Sequence, residues 1–226
     1  MADSQFILNL LDELKFRLDL YKQTKREFDR YIASDFNVFN FIKPNEIMLS
    51  AIFADLLDPE GSHGQGNKFL EHFLKNINID EILITDKIIS VEREYTTKHI
   101  ESYRRRIDII LHFQAAGYGL AIENKPWARE QEDQVADYVQ NMRNRFNNNY
   151  SVIYLSGTGD PPVSYDSNKD FKVITWAYRN EFKQWLSDCH KVCLSEKIRW
   201  FLRDFIKYIE SEFRITNNPK EVSNGT

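Results

Sequence analysis

The sequence of 226 residues contains 42% hydrophobic and 14% aromatic residues, enough for one large domain or a domain with a helical extension. Its net charge of −4 disfavours a protein that coats nucleic acid through bulk charge, but it allows an enzyme that contacts nucleic acid locally. No apolar run approaches the roughly 20 residues of a membrane-spanning helix, and the first residues lack a signal-peptide pattern, so we expect a cytoplasmic protein without membrane contact.

The first part of the chain is predicted to be helical. Apolar residues recur at helical spacing over residues 3–33, which predicts a long helix within an N-terminal extension over residues 1–43. A second helix, apolar on most sides, is predicted from Pro44 to about Leu57, since proline is tolerated in a first helical turn. A glycine-punctuated loop follows, in which we expect His63 to be exposed, and it leads into a third helix.

The pattern then changes to strands. Residues 87–97, 105–113 and 118–125 are rich in β-branched and apolar residues, and the last two segments are joined by a short turn. The elements predicted after them are a helix over residues 129–146, strands over residues 150–155 and 171–176, and two amphipathic helices over residues 179–213. This order of elements predicts an α/β sandwich with a mixed sheet.

The predicted domain organisation follows from these elements. We expect a core over residues 44–178 and C-terminal helices over residues 179–215 that pack on it. A polar tail over residues 216–226 is expected to be flexible. Cys189 and Cys193 are too few for a disulfide framework and lack enough neighbouring ligands for a zinc site, so we expect ordinary buried thiols.

Three residues of the central strands carry side chains suited to catalysis. Asp108 lies among aliphatic residues, where a carboxylate is costly unless a cation compensates it. Glu123 and Lys125 are two residues apart on the next strand, so both project from one face of the sheet. The hairpin register allows Asp108 to lie beside them. Two carboxylates can hold Mg²⁺ or Mn²⁺, whose bound water attacks a phosphodiester, while a lysine orients or deprotonates that water.

These residues resemble the active-site motif of the PD-(D/E)XK nuclease superfamily. Asp108 matches the aspartate and Glu123-Asn124-Lys125 matches the E-X-K element, although Ile107 stands where the family name has a proline. The resemblance implies a restriction-endonuclease-like α/β fold. Such a fold has a mixed central sheet flanked by helices, here with N- and C-terminal helical extensions.

Two further elements add to the resemblance. Gln134 and Tyr138 form a Q-xxx-Y element, as in RecB-like members, and at i and i+4 they share one helix face. The family implies that they position the active site and the nucleic acid. The segment that begins at Asn45-Glu46 is similar to a bacterial and phage subfamily, in which a glutamate of the first core helix completes the metal site. That role falls on Glu46.

The resemblance implies a Mg²⁺-dependent (or Mn²⁺-dependent) nuclease. Asp108, Glu123 and Glu46 would bind the metal and Lys125 would act on the water. We expect DNA as the substrate, with RNA as a chemically equivalent alternative, and a function in phage defence or DNA processing. A homo-oligomer or a larger effector assembly is compatible with the sequence.

Plainer interpretations stand beside these. Asp108 could pair with Arg104 or Arg106, and Glu123 with Lys125 could be an ordinary same-face salt bridge. Glu46 could simply favour the helix dipole in a first turn. The whole chain could also be a catalytically inactive nucleic-acid-binding or interaction module on the same fold.

Two surface features could contact nucleic acid. A basic stretch that includes Arg104 and Arg106 leads into the Asp108 strand and could bind the phosphate backbone; a solvated charge run is the alternative. Trp127 follows the E-X-K element and could stack on a base. For this side chain we expect instead a buried tryptophan that caps the sheet.

Overall fold

The chain divides into two units, Met1–Phe41 and Ile42–Thr226. The first contains a long helix and the second a five-stranded sheet. The computed structural model describes residues 2–79, 83, 89–97, 105–164 and 172–214. In the first unit, α1 spans Ala2–Ile32, and a 3-10 turn follows at Val38–Asn40. The apolar side chains described on α1 are exposed.

The second unit opens with two helices. α2 spans Glu46–Leu57 and begins after Asn45, whose side chain accepts a hydrogen bond from the backbone N–H of Met48 at 2.9 Å. α3 spans Lys68–Asn76 and buries one face. The loop between them corrects one expectation, because His63 is buried. Its Nδ1 accepts from the N–H of Gln65, and its Nε2 lies 2.9 Å from the carbonyl oxygen of Asp58.

The sheet is mixed, as predicted. Its strands are β1 (Ile89–Thr96), β2 (Arg106–Phe113), β3 (Tyr118–Lys125), β4 (Tyr150–Ser156) and β5 (Val173–Ala177). They lie side by side in chain order, with β1, β2 and β3 antiparallel and β3, β4 and β5 parallel. Every residue of β3 and β4 is buried, which explains their nearly continuous apolar sequence.

Helices cover the sheet. α4 (Gln134–Phe146) connects β3 to the parallel strand β4, and its apolar residues join a core cluster with side chains from β2, β3 and β4. A second group of buried residues is aromatic and links α2 and α3 to the C-terminal helices; its members in mutual ring contact are Phe53, Phe73, Trp176, Phe182 and Trp185.

The C-terminal helices are α5 (Lys183–Val192) and α6 (Glu196–Glu212), and a π-helical turn, Tyr178–Phe182, precedes α5. Cys189 and Cys193 are free and buried, as expected. None of the described helices is both long and apolar enough to cross a membrane. α4 begins at Gln134, later than predicted, because Asp133 adopts a left-handed conformation with φ 53°.

The crossing of α4 over β3 leads to the first prediction. A Cβ at Gly119 would lie 2.3 Å from the ring of Phe146. Gly119→Ala should therefore lower the free energy of unfolding by about 1–3 kcal/mol, because a well-packed core resists added volume. In urea unfolding, the Gly119→Ala/Phe146→Leu double variant should lose less stability than the two single variants together. Strictly additive losses would contradict this packing.

Candidate active site

Asp108 and Glu123 face each other across two neighbouring strands. The pairing of Ile109 with Ile122 places Asp108 opposite Glu123 in the antiparallel register. The backbone N–H of Asn124 donates a hydrogen bond of 2.8 Å to Oδ2 of Asp108. Burial raises the pKa of Asp108, and the Asn124 N–H and the charge of Lys125 offset only part of that effect. The strand pairing thus brings together two carboxylates, one fully buried at Glu123 and one half-buried at Asp108.

Glu123 is fully buried and only half satisfied. Its Oε1 accepts a 2.6 Å hydrogen bond from Nε2 of Gln134 and lies 2.7 Å from Nζ of Lys125. Its Oε2 is buried and has no hydrogen-bond partner. Burial, followed by the charge of Asp108, raises the pKa of Glu123 to about 8. A buried carboxylate oxygen without a donor is costly unless a proton or a cation compensates its charge.

Lys125 lies between two glutamates. Its Nζ is 2.7 Å from Oε1 of Glu123 and 3.1 Å from Oε1 of Glu46. Burial by itself lowers the pKa of Lys125, but the charges of Glu123 and Glu46 raise it by more, so its net pKa lies above the ordinary value. The side chain is therefore an ammonium ion at neutral pH. This charge state suits a hydrogen-bond donor that stabilises negative charge better than it suits a general base.

Asn124, the middle residue of the E-X-K element, has a structural function that sequence reasoning missed. Its side chain is fully buried. Nδ2 donates to Oγ of Ser50 at 2.9 Å and to the carbonyl oxygen of Glu46 at 3.4 Å, while Oδ1 accepts from the hydroxyl of Tyr178 at 2.8 Å. Asn124 thus fixes the start of α2, and with it Glu46, against β3. The sequence signal for this function was a polar residue within a strand that is apolar on both faces, since a buried polar side chain needs hydrogen-bond partners.

The Q-xxx-Y element contacts Glu123 directly. Gln134 and Tyr138 are both buried, and Nε2 of Gln134 lies 2.8 Å from the hydroxyl of Tyr138 as well as near Glu123. The Tyr138 hydroxyl donates to the carbonyl oxygen of Arg106. This chain of contacts connects α4 to β3 and β2, and it holds Oε1 of Glu123 in one position.

The donor chemistry of this site fits a hard divalent cation. Asp108 and Glu123 supply carboxylate oxygens, which Mg²⁺ and Mn²⁺ prefer, and Oε2 of Glu123 has no other partner. Within the described parts of the chain, no three or more His, Cys, Asp and Glu side chains are arranged as a metal site. Glu46 contacts the Lys125 ammonium, and its function as a third metal ligand stays a prediction.

The basic residues that precede Asp108 in the chain differ in their contacts. Arg104 lies outside the described residues. Arg106 is exposed, and its guanidinium lies 3.6 Å from the carboxylate of Glu94. Arg105 is half-buried and donates to Asp137 at 2.9 Å, so it connects the start of β2 to α4. Phosphate contact by Arg104 and Arg106 stays a prediction.

Trp127 corrects another expectation. The side chain is not buried against the sheet; it is 50% exposed. One ring face stacks on Phe213 with a centroid distance of 6.0 Å, and Nε1 donates to Glu212 at 3.1 Å. The chain turns outward after Lys125, and the end of α6 supports the indole from one side while the rest meets solvent.

Comparison with known proteins agrees with this architecture. A family model described as the PD-(D/E)XK nuclease superfamily matches residues 36–207, well over half of the chain. The matched region includes all five strands, the Glu46 helix and the Q-xxx-Y helix. Searches of the curated proteins and of the solved structures gave no match.

The Asn124 network yields the second prediction. Tyr178→Phe removes the hydroxyl that donates to Oδ1 of Asn124 and should lower the free energy of unfolding by about 1–3 kcal/mol, because a buried acceptor loses its partner. Urea unfolding monitored by circular dichroism measures the change. Tyr31→Phe, at a side chain that is 89% exposed, is the control and should change stability by less than about 0.5 kcal/mol. Equal effects of the two variants would contradict this function of Tyr178.

Proposed function

The chain belongs to the PD-(D/E)XK nuclease superfamily, and from this premise we propose that it is a metal-dependent nuclease that hydrolyses phosphodiester bonds of DNA. The observation that carries the proposal is the buried Glu123. One of its oxygens is held by Gln134 and Lys125, the other has no donor, and Asp108 lies opposite. A merely structural salt bridge would not need the second, half-buried carboxylate of Asp108.

Asp108 and Glu123 are the proposed ligands of a divalent cation, Mg²⁺ or Mn²⁺, with Glu46 as a third. Such a cation, when bound, lowers the pKa of a coordinated water molecule and stabilises negative charge on the attacked phosphate. The raised pKa values of both carboxyls support this assignment, because the carboxylates gain more from a cation than solvent-exposed groups would.

Lys125 is the proposed electrostatic catalyst. Glu46 and Glu123 hold its ammonium and keep the proton on Nζ. From this position the ammonium can donate a hydrogen bond to a phosphate oxygen or to the attacking water, and charge that develops in the transition state is stabilised by a donor already in place. We assign Lys125 no general-base step.

Gln134 and Tyr138 are proposed as positioning residues. The amide N–H of Gln134 occupies Oε1 of Glu123, so Oε2 remains the oxygen for the cation. Tyr138 connects this arrangement to β2 through the Arg106 carbonyl. Arg104 and Arg106 would bind phosphates of the substrate backbone near the site.

DNA is the proposed substrate, and phage defence or DNA processing in the cytoplasm is the proposed setting, with a homo-oligomer or a larger effector assembly as the working form. RNA hydrolysis would use the same chemistry. The second candidate is a catalytically inactive binding module. Against it stands the contact of Lys125 with Glu123 and Glu46, with Asp108 opposite Glu123, since a decayed site has no need to retain all four residues.

The third prediction tests the nuclease directly. With Mg²⁺ or Mn²⁺, the purified protein should cleave plasmid or linear DNA, and Asp108→Asn, Glu123→Gln and Lys125→Met should each reduce kcat by about 10²-fold to 10³-fold or more, because each removes a charge from the site. RNA of matched length is assayed beside DNA to establish the substrate class.

Glu60→Gln, at an exposed loop carboxylate, is the matched control and should retain activity within about twofold. Failure of the wild-type protein to cleave any substrate, with nucleic-acid binding unchanged in the three variants, would support the inactive binding module instead.

A further inference from the structure

A cavity opens beside Lys125, and no residue of α2 lines it. Its volume is about 330 Å³, and it is lined by residues 125–130 and by residues of the segment 154–163. This size lies at the lower end of small-ligand pockets, which span roughly 300–1,000 Å³. The E-X-K lysine is therefore shared by the proposed catalytic site and by the cavity.

The two chain segments that form the cavity are held firmly together. The carboxylate of Glu130 accepts hydrogen bonds from the backbone N–H groups of Val135, Val163 and Ser164 at 2.8, 2.5 and 3.0 Å, and also from the Ser164 hydroxyl. At Gly157 a Cβ would lie 2.4 Å from the Pro126 carbonyl oxygen, so the segments approach as closely as a glycine permits. The cavity is preorganised by these contacts.

The lining combines flat apolar surfaces with a hydrogen-bond acceptor. Trp127 is half exposed and already fixed by Phe213 and Glu212, so stacking on its indole costs little conformational entropy. Pro161 adds a second rigid apolar ring. Asp160 accepts a 2.5 Å hydrogen bond from Thr158 at Oδ2, and a carboxylate has capacity for further donors.

The charges of the lining argue against a phosphate site. Lys125 and Arg129 are balanced by Glu130 and Asp160, so the cavity has no excess of positive charge for the nucleic-acid backbone. An aromatic surface next to a carboxylate acceptor matches a planar, uncharged group that carries an amino donor. Among the parts of a nucleic acid, that description fits adenine, cytosine and guanine, whose exocyclic amino groups donate to Asp or Glu.

We infer that this cavity is a subsite for an unpaired, amino-bearing nucleobase of the substrate, next to the phosphodiester that Lys125 contacts. This inference rests on the proposed function for the identity of the ligand as nucleic acid. A base inside a duplex is stacked and paired, so only a single strand, an end or a locally opened duplex can present one. The enzyme should accordingly prefer single-stranded or opened substrates to intact duplex.

The fourth prediction uses binding without catalysis. In the absence of metal, a single-stranded oligo(dC) should bind more tightly than oligo(dT) or duplex of equal length and should quench tryptophan fluorescence. Trp127→Ala should weaken oligo(dC) binding about 10-fold to 100-fold, as expected for lost base stacking. Trp127→Phe should abolish most of the quenching and retain most of the affinity. Asp160→Ala, which removes the acceptor oxygens, should remove the preference for dC over dT.

Trp200→Ala is the matched control, because Trp200 is also partly exposed but does not line this cavity, and it should leave affinity within about twofold. Unchanged oligo(dC) affinity in Trp127→Ala, or duplex binding as tight as single-strand binding, would overturn the subsite. Because binding is measured without metal, its result is independent of nuclease activity. Weaker binding by the Trp127 variant and altered base preference in the Asp160 variant would support the subsite even if the protein cleaves no substrate.

Discussion

The complete burial of the Glu123 carboxylate is the constraint on which the rest of the site depends. A charged group without solvent must be matched by donors and cations, and the neighbouring carboxyl of Asp108 makes that requirement stricter. Gln134 and Lys125 satisfy one oxygen only. The remaining oxygen and the raised pKa values of Asp108 and Glu123 are the observations on which the proposed binding of a divalent cation rests.

Four elements of the fold each contribute one part of this arrangement. β2 and β3 bring the two carboxylates together through their register, α4 supplies the donor from Gln134, and α2 supplies Glu46 as the second partner of Lys125. Asn124 connects α2 to β3, so the lysine and its glutamates keep their spacing. Residues far apart in the chain are thus held together by the sheet, while the segment after Lys125 leaves the sheet and forms a cavity beside the same lysine.

Much of the fold could be predicted from the sequence, since strand and helix periods are local properties. The three central strands and the mixed sheet were confirmed, and the E-X-K element lies where alternation places it. The Asn124 network could not be predicted, because its partners Ser50 and Tyr178 come from distant parts of the chain. His63 was predicted to be exposed and Trp127 to be buried, and both predictions were wrong. The positions of these two side chains depend on tertiary contacts of loops, which no periodic sequence pattern indicates.

The proposed function depends on metal binding by the two facing carboxylates, and calorimetric titration with Mn²⁺ measures that binding without any assumption about the substrate. The wild-type protein should show one measurable Mn²⁺ site. Glu123→Gln, which retains the shape of the side chain but removes its charge, should weaken the affinity at least about tenfold. Asp108→Asn should have a similar effect. Equal Mn²⁺ affinity in the wild type and in both variants, or no binding by the wild type, would contradict metal binding by Asp108 and Glu123.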